Sequence, residues 1–143
     1  MKSPASAQPS GDRTIGRLLM TALSRSGADV RLVSHLRTWS AHGGDTRLDA
    51  ITQASRAEAA RLVQTYRAPE TDWRPDLWFT YHSYYKAPDL IGPDVARSLG
   101  LPYVLAEGSY AARRNTGQWC SWLNATRRGL VEADAIFCFT QRD

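Results

Sequence analysis

Two side chains that can move protons stand at the ends of predicted buried strands. His82 ends the apolar run LWFTYH, and Glu107 follows YVLA. A histidine can polarise or deprotonate a hydroxyl near neutral pH. A carboxylate can accept hydrogen bonds from sugar hydroxyls, or it can pair with Arg113 or Arg114. A histidine that is simply hydrogen-bonded at a strand end fits the residues equally well, so both interpretations of His82 stay open.

The segment TYHSYYKAP adds aromatic rings directly after His82. Tyr84 and Tyr85 offer flat faces with hydroxyls, which suit sugar rings, although paired tyrosines are more often half-buried anchors of a loop. Lys86 is expected to be a solvated surface charge. Contact with a sugar ring and a packing role therefore both stay open for these two tyrosines.

The stretch PSGDRTIGRLLMTAL reads as a polar turn that leads into an amphipathic helix. Gly11 would let the backbone approach a ligand, and the helix N-terminus would favour an anion or hydroxyl oxygens. A helix-capping turn, with Asp12 as the N-cap, fits at least as well. The chain has neither GxGxxG nor GxxxxGK[ST], so both the dinucleotide fingerprint and the P-loop are excluded.

Other site chemistries find little support in the residues. The three histidines show no metal-ligand spacing, and Cys120 and Cys138 are too far apart for a CxxC site. We expect both cysteines to be free, small, buried apolar residues. No GxSxG elbow is present to carry a nucleophilic serine.

Composition and charge are those of a globular protein. Of the 143 residues, 43% are hydrophobic and 22% are charged, and the formal net charge is +4. The sixteen arginines are scattered, so nucleic-acid binding is not expected. No apolar run is long enough for a membrane helix, and Met1 to Gly11 lacks the apolar region of a secretory signal. A cytoplasmic protein is the default expectation.

Apolar periodicity predicts helices that alternate with strands. The predicted helices are residues 14–26 stopped by Gly27, residues 46–66 opened by the capping-box pattern Thr46-Arg47-Leu48-Asp49, residues 88–99 interrupted at Gly92-Pro93, and a helix capped by Asn115 or Thr116 with the inward stripe Trp119, Trp122, Leu123, Thr126 and Leu130. The predicted strands are residues 29–34, LWFTYH, PYVLAEG and AIFCFT.

This alternation predicts an α/β fold, with a Rossmann-like parallel sheet and helices on both faces. Ligands bind such sheets at the carboxyl ends of the strands. Four polar segments should therefore converge there: Pro9 to Asp12, Ser34 to Trp39 with Arg37, His82 to Lys86, and Glu107 to Arg114. A strand is expected before Asp12, but residues 1–8 have no strand pattern. We expect them to be disordered or displaced from a domain of residues 9–143.

Three stretches match a known family in their order along the chain. They are PSGDRTIGRLLMTALSRSGADVRLVSHLRTW, RPDLWFTYHSYYKAPDLIGPDVARSLGLPYVLAEGS and LVEADAIFCFTQRD. Together they resemble the N-terminal, acceptor-side domain of bacterial GT-B glycosyltransferases of the large group 1 class. The resemblance runs from about Pro9 to Asp143 and rests on this order, since no single motif is decisive.

The resemblance implies half of a two-domain enzyme that transfers a sugar from a nucleotide-sugar donor to an acceptor hydroxyl. It implies retention at the anomeric carbon without a metal, with the departing phosphate assisting the incoming hydroxyl. Gly11 and Asp12 match the loop near donor phosphate and acceptor. His82 matches the histidine near the reacting sugar, and Thr140 precedes the crossing to the second domain.

The residues assigned from these arguments form two groups. His82 and Glu107 are the candidate catalytic residues. The candidate substrate-binding residues are Gly11, Asp12, Arg37, Tyr84, Tyr85 and Arg113.

The chain departs from the family pattern in two ways. The first strand is expected to be missing, and no donor-binding C-terminal half follows Asp143. We therefore expect this chain alone to be inactive.

The expected partners are a nucleotide-sugar donor, a sugar or lipid-linked acceptor, and a donor-binding domain. A non-catalytic sugar-binding module, or the acceptor-side subunit of a split enzyme, is the alternative. The net positive charge of the chain would also suit peripheral contact with an anionic membrane surface.

Overall fold

The computed structural model describes residues 2–44, 46–114 and 117–140. The chain divides into two compact units, Met1–Arg37 and Thr38–Asp143.

The first unit is built around helix α1 (Gly11–Arg25). The predicted helix is confirmed, but its cap is not Asp12: the Ser10 hydroxyl accepts a hydrogen bond from the Arg13 backbone N–H at 3.2 Å. Asp12 instead lies in the first helical turn, where a carboxylate favours the positive end of the helix dipole. Gly27 ends the helix as predicted, with a φ of +97° that favours glycine.

Residues that precede α1 are bound to it within this unit. The Arg13 Nε atom donates to the Ser6 carbonyl and the Arg17 Nε atom donates to the Pro4 carbonyl, both at 2.7 Å. Pro4 lies against the buried Gly16, where an added Cβ would come within 2.9 Å of the Pro4 Cγ atom. The segment thus has its own contacts with the helix.

The predicted strand at residues 29–34 is wrong, because the structure gives these residues no strand pairing. Val30, Leu32 and Val33 have the β-branched and apolar side chains typical of a strand. A strand also needs a neighbouring strand to bond its backbone groups, and among the described residues none pairs with this segment.

The second unit contains the sheet. Its helices are α2 (Thr46–Arg67), α3 (Gly92–Leu99) and α4 (Cys120–Glu132), and its strands are β1 (Trp78–Ser83), β2 (Tyr103–Gly108) and β3 (Ala135–Phe137). All strand pairs are parallel, in the order β1-β2-β3. Two short 3₁₀ turns, Ala112–Arg114 and Gly117–Trp119, precede α4. The unit is therefore α/β with a small open parallel sheet, consistent with a Rossmann-like fold.

The core lies between this sheet and the helices. Helix α3 contacts β1 and β2, α4 contacts β2, and α2 contacts α3. The side chains of Val95, Leu105 and Leu123 are fully buried. Three members of the stripe predicted on α4, Trp122, Leu123 and Thr126, are buried; Trp119 and Leu130 are half-buried. The caps predicted at Asn115 or Thr116 lie outside the described residues.

Helix α3 is shorter than the predicted broken helix. It begins at Gly92, and Pro93 occupies its first turn, where the missing N–H of proline leaves no helical bond unmade. Residues 88–91 are not helical. Gly100 ends the helix with a left-handed φ of 68°, as the sequence predicted.

The Asp89 carboxylate joins β1, β2 and the start of α3. Its Oδ1 atom accepts from the backbone N–H groups of Ile91 at 2.9 Å and Gly92 at 2.7 Å. Its Oδ2 atom accepts from the hydroxyls of Thr80 at 2.5 Å and Tyr103 at 3.0 Å. One side chain thus satisfies four donors from three elements.

Neighbouring groups extend this network. The Trp78 indole N–H donates to the Thr80 hydroxyl at 3.1 Å, so Thr80 relays between the ring and Asp89. Tyr103 is buried, and burial raises the pKa of its hydroxyl well above the ordinary value, with the Asp89 charge adding to the rise. Tyr103 therefore stays neutral and keeps its proton as a donor to Asp89.

Charged side chains join α3 to α4 on the surface. Arg128 donates to Asp94 at 2.6 Å and to Glu132 at 2.8 Å, and Arg97 contacts the same two carboxylates at 2.9 and 3.5 Å. The hydrogen bond to Glu132 is the main reason that the pKa of Arg128 is raised. A network of four charges stabilises more than isolated surface pairs do.

β3 lies at one edge of the sheet and is short. Ile136 is 44% exposed and Phe137 is 56% exposed, and Phe139, just after the strand, is 49% exposed. The predicted burial of Cys120 and Cys138 is wrong: both are free but exposed. Cys138 directly follows Phe137 in a run of exposed residues at this edge, residues 136–140.

None of the helices among the described residues is long and apolar enough to span a membrane.

We expect Asp89→Ala to lower the free energy of unfolding by about 3 kcal/mol or more, because it leaves the buried Tyr103 hydroxyl and three other donors without their acceptor. Asp89→Asn should have a smaller effect, since the amide keeps one acceptor oxygen. Urea unfolding measures both. Asp76→Ala is the matched control, because Asp76 is exposed. Equal effects at both positions would contradict the role of Asp89.

We expect Gly92→Ala to destabilise the protein by about 1–3 kcal/mol, because an added Cβ would overlap the Asp89 carboxylate and the Trp78 indole nitrogen. Gly11→Ala is the control. An added Cβ there meets nothing within 4 Å, and the residue is helical without a positive φ. Thermal unfolding should therefore show a lower midpoint for Gly92→Ala and an unchanged or higher one for Gly11→Ala. A tolerated alanine at Gly92 would contradict the close approach.

Candidate functional site

His82 and Glu107 occupy matching positions at the carboxyl ends of β1 and β2. The register pairs Tyr81 with Ala106 and Ser83 with Gly108, which places His82 opposite Glu107. Backbones of neighbouring strands are about 4.8 Å apart. The structure therefore brings the two candidate catalytic residues to one edge of the sheet.

Both residues adopt a backbone conformation that side chains usually avoid. The φ angle is 64° at His82 and 59° at Glu107, and they are the only non-glycine residues with positive φ in the described part of the chain. For an L-residue this left-handed region costs about 1–2 kcal/mol. Such residues concentrate at functional sites, where the surroundings hold them in place.

The surroundings here fix the backbone on the far side of the strained residues. The Ser109 N–H donates to the Ser83 carbonyl at 2.9 Å, so pairing between the two strand ends continues beyond His82 and Glu107. The Ser83 side chain is 2% exposed, and its hydroxyl accepts from the Asp89 N–H at 3.1 Å. Regular backbone hydrogen bonds therefore lie on both sides of the two left-handed residues, His82 and Glu107.

The His82 ring lies between two tyrosines. It stacks on Tyr84, with centroids 5.1 Å apart and an interplanar angle of 26°, and it is tilted against Tyr81 at 5.5 Å. The residue is half-buried. An imidazole in this position is oriented by its aromatic neighbours while part of its surface remains accessible.

Glu107 already has a structural partner. Its Oε1 atom accepts from the Phe139 backbone N–H at 2.5 Å, and the Phe139 ring stacks on Tyr81 with centroids 6.3 Å apart. The carboxylate therefore fastens the segment after β3 to the end of β2. In the described residues no ion pair joins Glu107 to Arg113, which is exposed, and the Arg114 side chain lies outside what the structure describes.

Successive aromatic contacts connect the strand ends to the core. We call this set the aromatic row; its members, in order of contact, are Phe139, Tyr81, His82, Tyr84, Tyr85, Trp119 and Trp122. Adjacent centroids are between 5.1 and 6.3 Å apart. The row ends at Trp122, which is 2% exposed. Half-buried rings arranged in this way provide flat apolar faces for a ligand ring.

Lys86 is not the solvated surface charge that the sequence suggested. It is half-buried, and its Nζ atom lies 5.8 Å from the ring centroids of both Tyr85 and Trp119. This distance falls within the range of a cation–π interaction. The sequence does not show it because Trp119 lies 33 positions further along the chain.

The other candidate binding residues, Gly11, Asp12 and Arg37, belong to the first unit. Gly11 is exposed and is the first residue of α1, so its conformation does not require glycine. Asp12 is half-buried, and Arg37 is exposed. That these three share a site with His82 stays a prediction.

Two cavities of the second unit lie elsewhere. One, of about 200 Å³, is lined by residues of α2, α3 and α4 and includes Arg56, Asp94 and Arg128. The other, of about 340 Å³, lies beside α3 and includes Tyr103 and Asp134. Neither is lined by His82 or Glu107, so neither cavity is the site predicted at the carboxyl ends of the strands.

Sequence reasoning missed Asp89 and Trp119 as parts of this region. Asp89 stands three residues before Gly92-Pro93, and an acidic residue before a Gly-Pro helix start is a signal for a helix N-terminus. Trp119 was assigned to an inward stripe, although its neighbours are Tyr85 and Lys86. In the described part of the chain no group of three His, Cys, Asp or Glu side chains could hold a metal ion.

Comparison with known proteins gives no further assignment. No protein-family model matches the chain. No curated protein shows a significant match, and no solved structure does either.

The left-handed backbone at His82 makes a direct prediction about glycine. We expect His82→Gly to be more stable than His82→Ala by about 1 kcal/mol, because both remove the ring but only alanine retains the strained Cβ. Urea unfolding of the two variants measures the difference. At Tyr81, which has no positive φ, the order should reverse. Alanine as stable as glycine at position 82 would contradict the conformation.

Proposed function

We propose that this chain binds a carbohydrate at the carboxyl ends of β1 and β2 and forms the acceptor-side half of a GT-B glycosyltransferase. The main support for this proposal is that His82 and Glu107 lie in register at one edge of a parallel sheet, both in the left-handed conformation. Parallel sheets bind ligands at this edge. The Glu107 carboxylate bonds Phe139, and the left-handed backbone that His82 and Glu107 share at this edge is not needed for strand pairing.

The side chains present suit a sugar. The His82 imidazole could accept a hydrogen bond from an acceptor hydroxyl and so orient it. Glu107 could accept from a second hydroxyl with the carboxylate oxygen that Phe139 does not use. The neighbouring rings of the aromatic row suit the apolar face of a sugar ring. Together these groups match a molecule with several hydroxyls and a flat face.

The enzyme assignment rests on the resemblance in sequence order, with which a small parallel α/β sheet agrees. In the proposed reaction the acceptor hydroxyl oxygen forms a bond to the anomeric carbon of the donor, and the bond from that carbon to the diphosphate breaks. The proton of the hydroxyl leaves to the departing phosphate. A second domain would bind the nucleotide sugar, no metal takes part, and the reaction is placed in the cytoplasm.

A non-catalytic sugar-binding module is the second candidate, and one observation favours it. The Glu107 carboxylate already accepts a hydrogen bond from Phe139. A carboxylate engaged in this way has a structural reason to be present, and binding would need only His82 and the rings. The split subunit of a two-chain enzyme is a form of the first candidate.

Binding and transfer can be tested separately with the purified chain. We expect saturation-transfer NMR with a panel of glycosides to show binding, and nucleotide sugars added with these glycosides to show no turnover. Binding is expected because the strand ends lie within this chain. Turnover is not expected, because transfer needs both substrates held against each other. If no glycoside binds, the proposed function is wrong; turnover by this chain alone would contradict the half-enzyme assignment.

We expect His82→Ala to weaken glycoside binding by roughly tenfold, the value of one hydrogen bond at about 1.4 kcal/mol. Glu107→Gln should also weaken it, while its amide oxygen keeps an acceptor for Phe139. His42→Ala is the matched control, because His42 is exposed on the segment before α2. Binding by His82→Ala at the affinity of the His42→Ala control would remove His82 from the site.

A further inference from the structure

The turn that follows β1 presents two side chains in a fixed arrangement. The Ala87 N–H donates to the Tyr84 carbonyl at 2.8 Å, and the Tyr84 N–H donates to the Ala87 carbonyl at 3.3 Å. Tyr85 and Lys86 are therefore the central residues of a closed four-residue turn. The Lys86 carbonyl also accepts from the Ser40 N–H at 3.0 Å. The backbone at Lys86 is thus held by the bonds that close the turn and by the bond from Ser40.

The rings beside this turn meet at right angles. Tyr85 contacts Tyr84 at 5.8 Å with an interplanar angle of 89°, and it contacts Trp119 at 5.2 Å with an angle of 88°. Edge-to-face packing of this kind is a favourable arrangement that holds each ring in place. Both Tyr85 and Trp119 are half-buried, so a ligand ring could still contact them.

The Lys86 ammonium lacks an anionic partner among the described residues. Two carboxylates at this end of the sheet bond elsewhere: Asp89 to the start of α3 and Glu107 to Phe139. The aromatic faces of Tyr85 and Trp119 are its neighbours instead. A half-buried ammonium over two rings leaves a favourable position for an anion close to a flat apolar surface.

We propose that the carbohydrate bound at this edge carries a negative charge, with its ring against Tyr85 and Trp119 and its carboxylate or phosphate at the Lys86 ammonium. This inference rests on the proposed function and adds to it the class of the acceptor, an anionic sugar. The charge supplies specificity: a neutral sugar keeps the ring contacts and loses the ion pair. A uronic acid and a sugar phosphate share this chemistry.

The test measures four probes by titration calorimetry: methyl glucoside, methyl glucuronide, glucose 6-phosphate and uridine monophosphate. We expect the glucuronide, the sugar phosphate or both to bind roughly threefold to tenfold more tightly than the neutral glucoside, the range of a partly exposed ion pair. The one that binds more tightly identifies the acid. The excess affinity should fall as sodium chloride is added, whereas affinity for the glucoside should not.

Variants separate the ion pair from the ring contacts. Lys86→Met should remove the excess affinity for the charged sugar and leave the glucoside unchanged, while Lys86→Arg should retain part of the excess. Trp119→Leu should weaken both sugars. Arg56→Gln, an exposed residue on α2, makes the same change of net charge and should have no effect. An equal loss for charged and neutral sugars in Lys86→Met would overturn the proposal.

Three other outcomes would each overturn the inference. Binding of the glucoside at the same affinity as both charged sugars would overturn this inference and leave the proposed function standing. Uridine monophosphate bound more tightly than both charged sugars, with the same dependence on Lys86, would overturn the inference in favour of a nucleotide site. Failure of all three sugars to bind would overturn the inference together with the proposed function.

Discussion

The Asp89 carboxylate is the constraint on which the second unit depends. Two of its hydrogen bonds go to the first turn of α3 and two go to hydroxyls on neighbouring strands. Asp89 is half-buried, and removing a carboxylate from water costs free energy unless its oxygens accept hydrogen bonds. Here all four donors come from elements that must be placed correctly to reach it. The Asp89 backbone N–H also donates to the Ser83 hydroxyl, so the strand end that follows His82 is bonded to this residue as well. The hydrogen bonds of Asp89 therefore help to fix the position of the candidate site.

Because the backbone around them is held by hydrogen bonds, His82 and Glu107 keep their left-handed conformation. A strained residue in a mobile loop would relax, whereas regular bonds enclose His82 and Glu107. The two strands reach this conformation at the same register, which a random irregularity would not do. Glu107 then combines two demands, since its carboxylate bonds the segment after β3 and stands beside the histidine. In the proposed site, the same carboxylate would serve both packing and ligand contact.

Sequence reasoning located β1 and β2 because each is a nearly continuous apolar run bounded by proline, which is typical of a strand covered on both faces. It located His82 and Glu107 because polar residues directly after such runs stand out. Residues 29–34 have equally good strand composition, but pairing depends on a neighbour that composition does not reveal. Asp89 was missed because Tyr103, its partner, lies 14 positions away and belongs to another strand. The environment of Lys86 was missed for the same reason, since Trp119 comes from a different segment. Local patterns thus predicted the elements, while contacts between elements decided the details of the site.

The short edge strand β3 has a further consequence for how this protein behaves in solution. Its outer backbone groups and the exposed side chains of Ile136 and Phe137 offer the kind of margin on which another polypeptide can pair. Two copies meeting there would extend the sheet across both molecules and cover these apolar side chains. If two copies paired in this way, the associated fraction would rise with protein concentration.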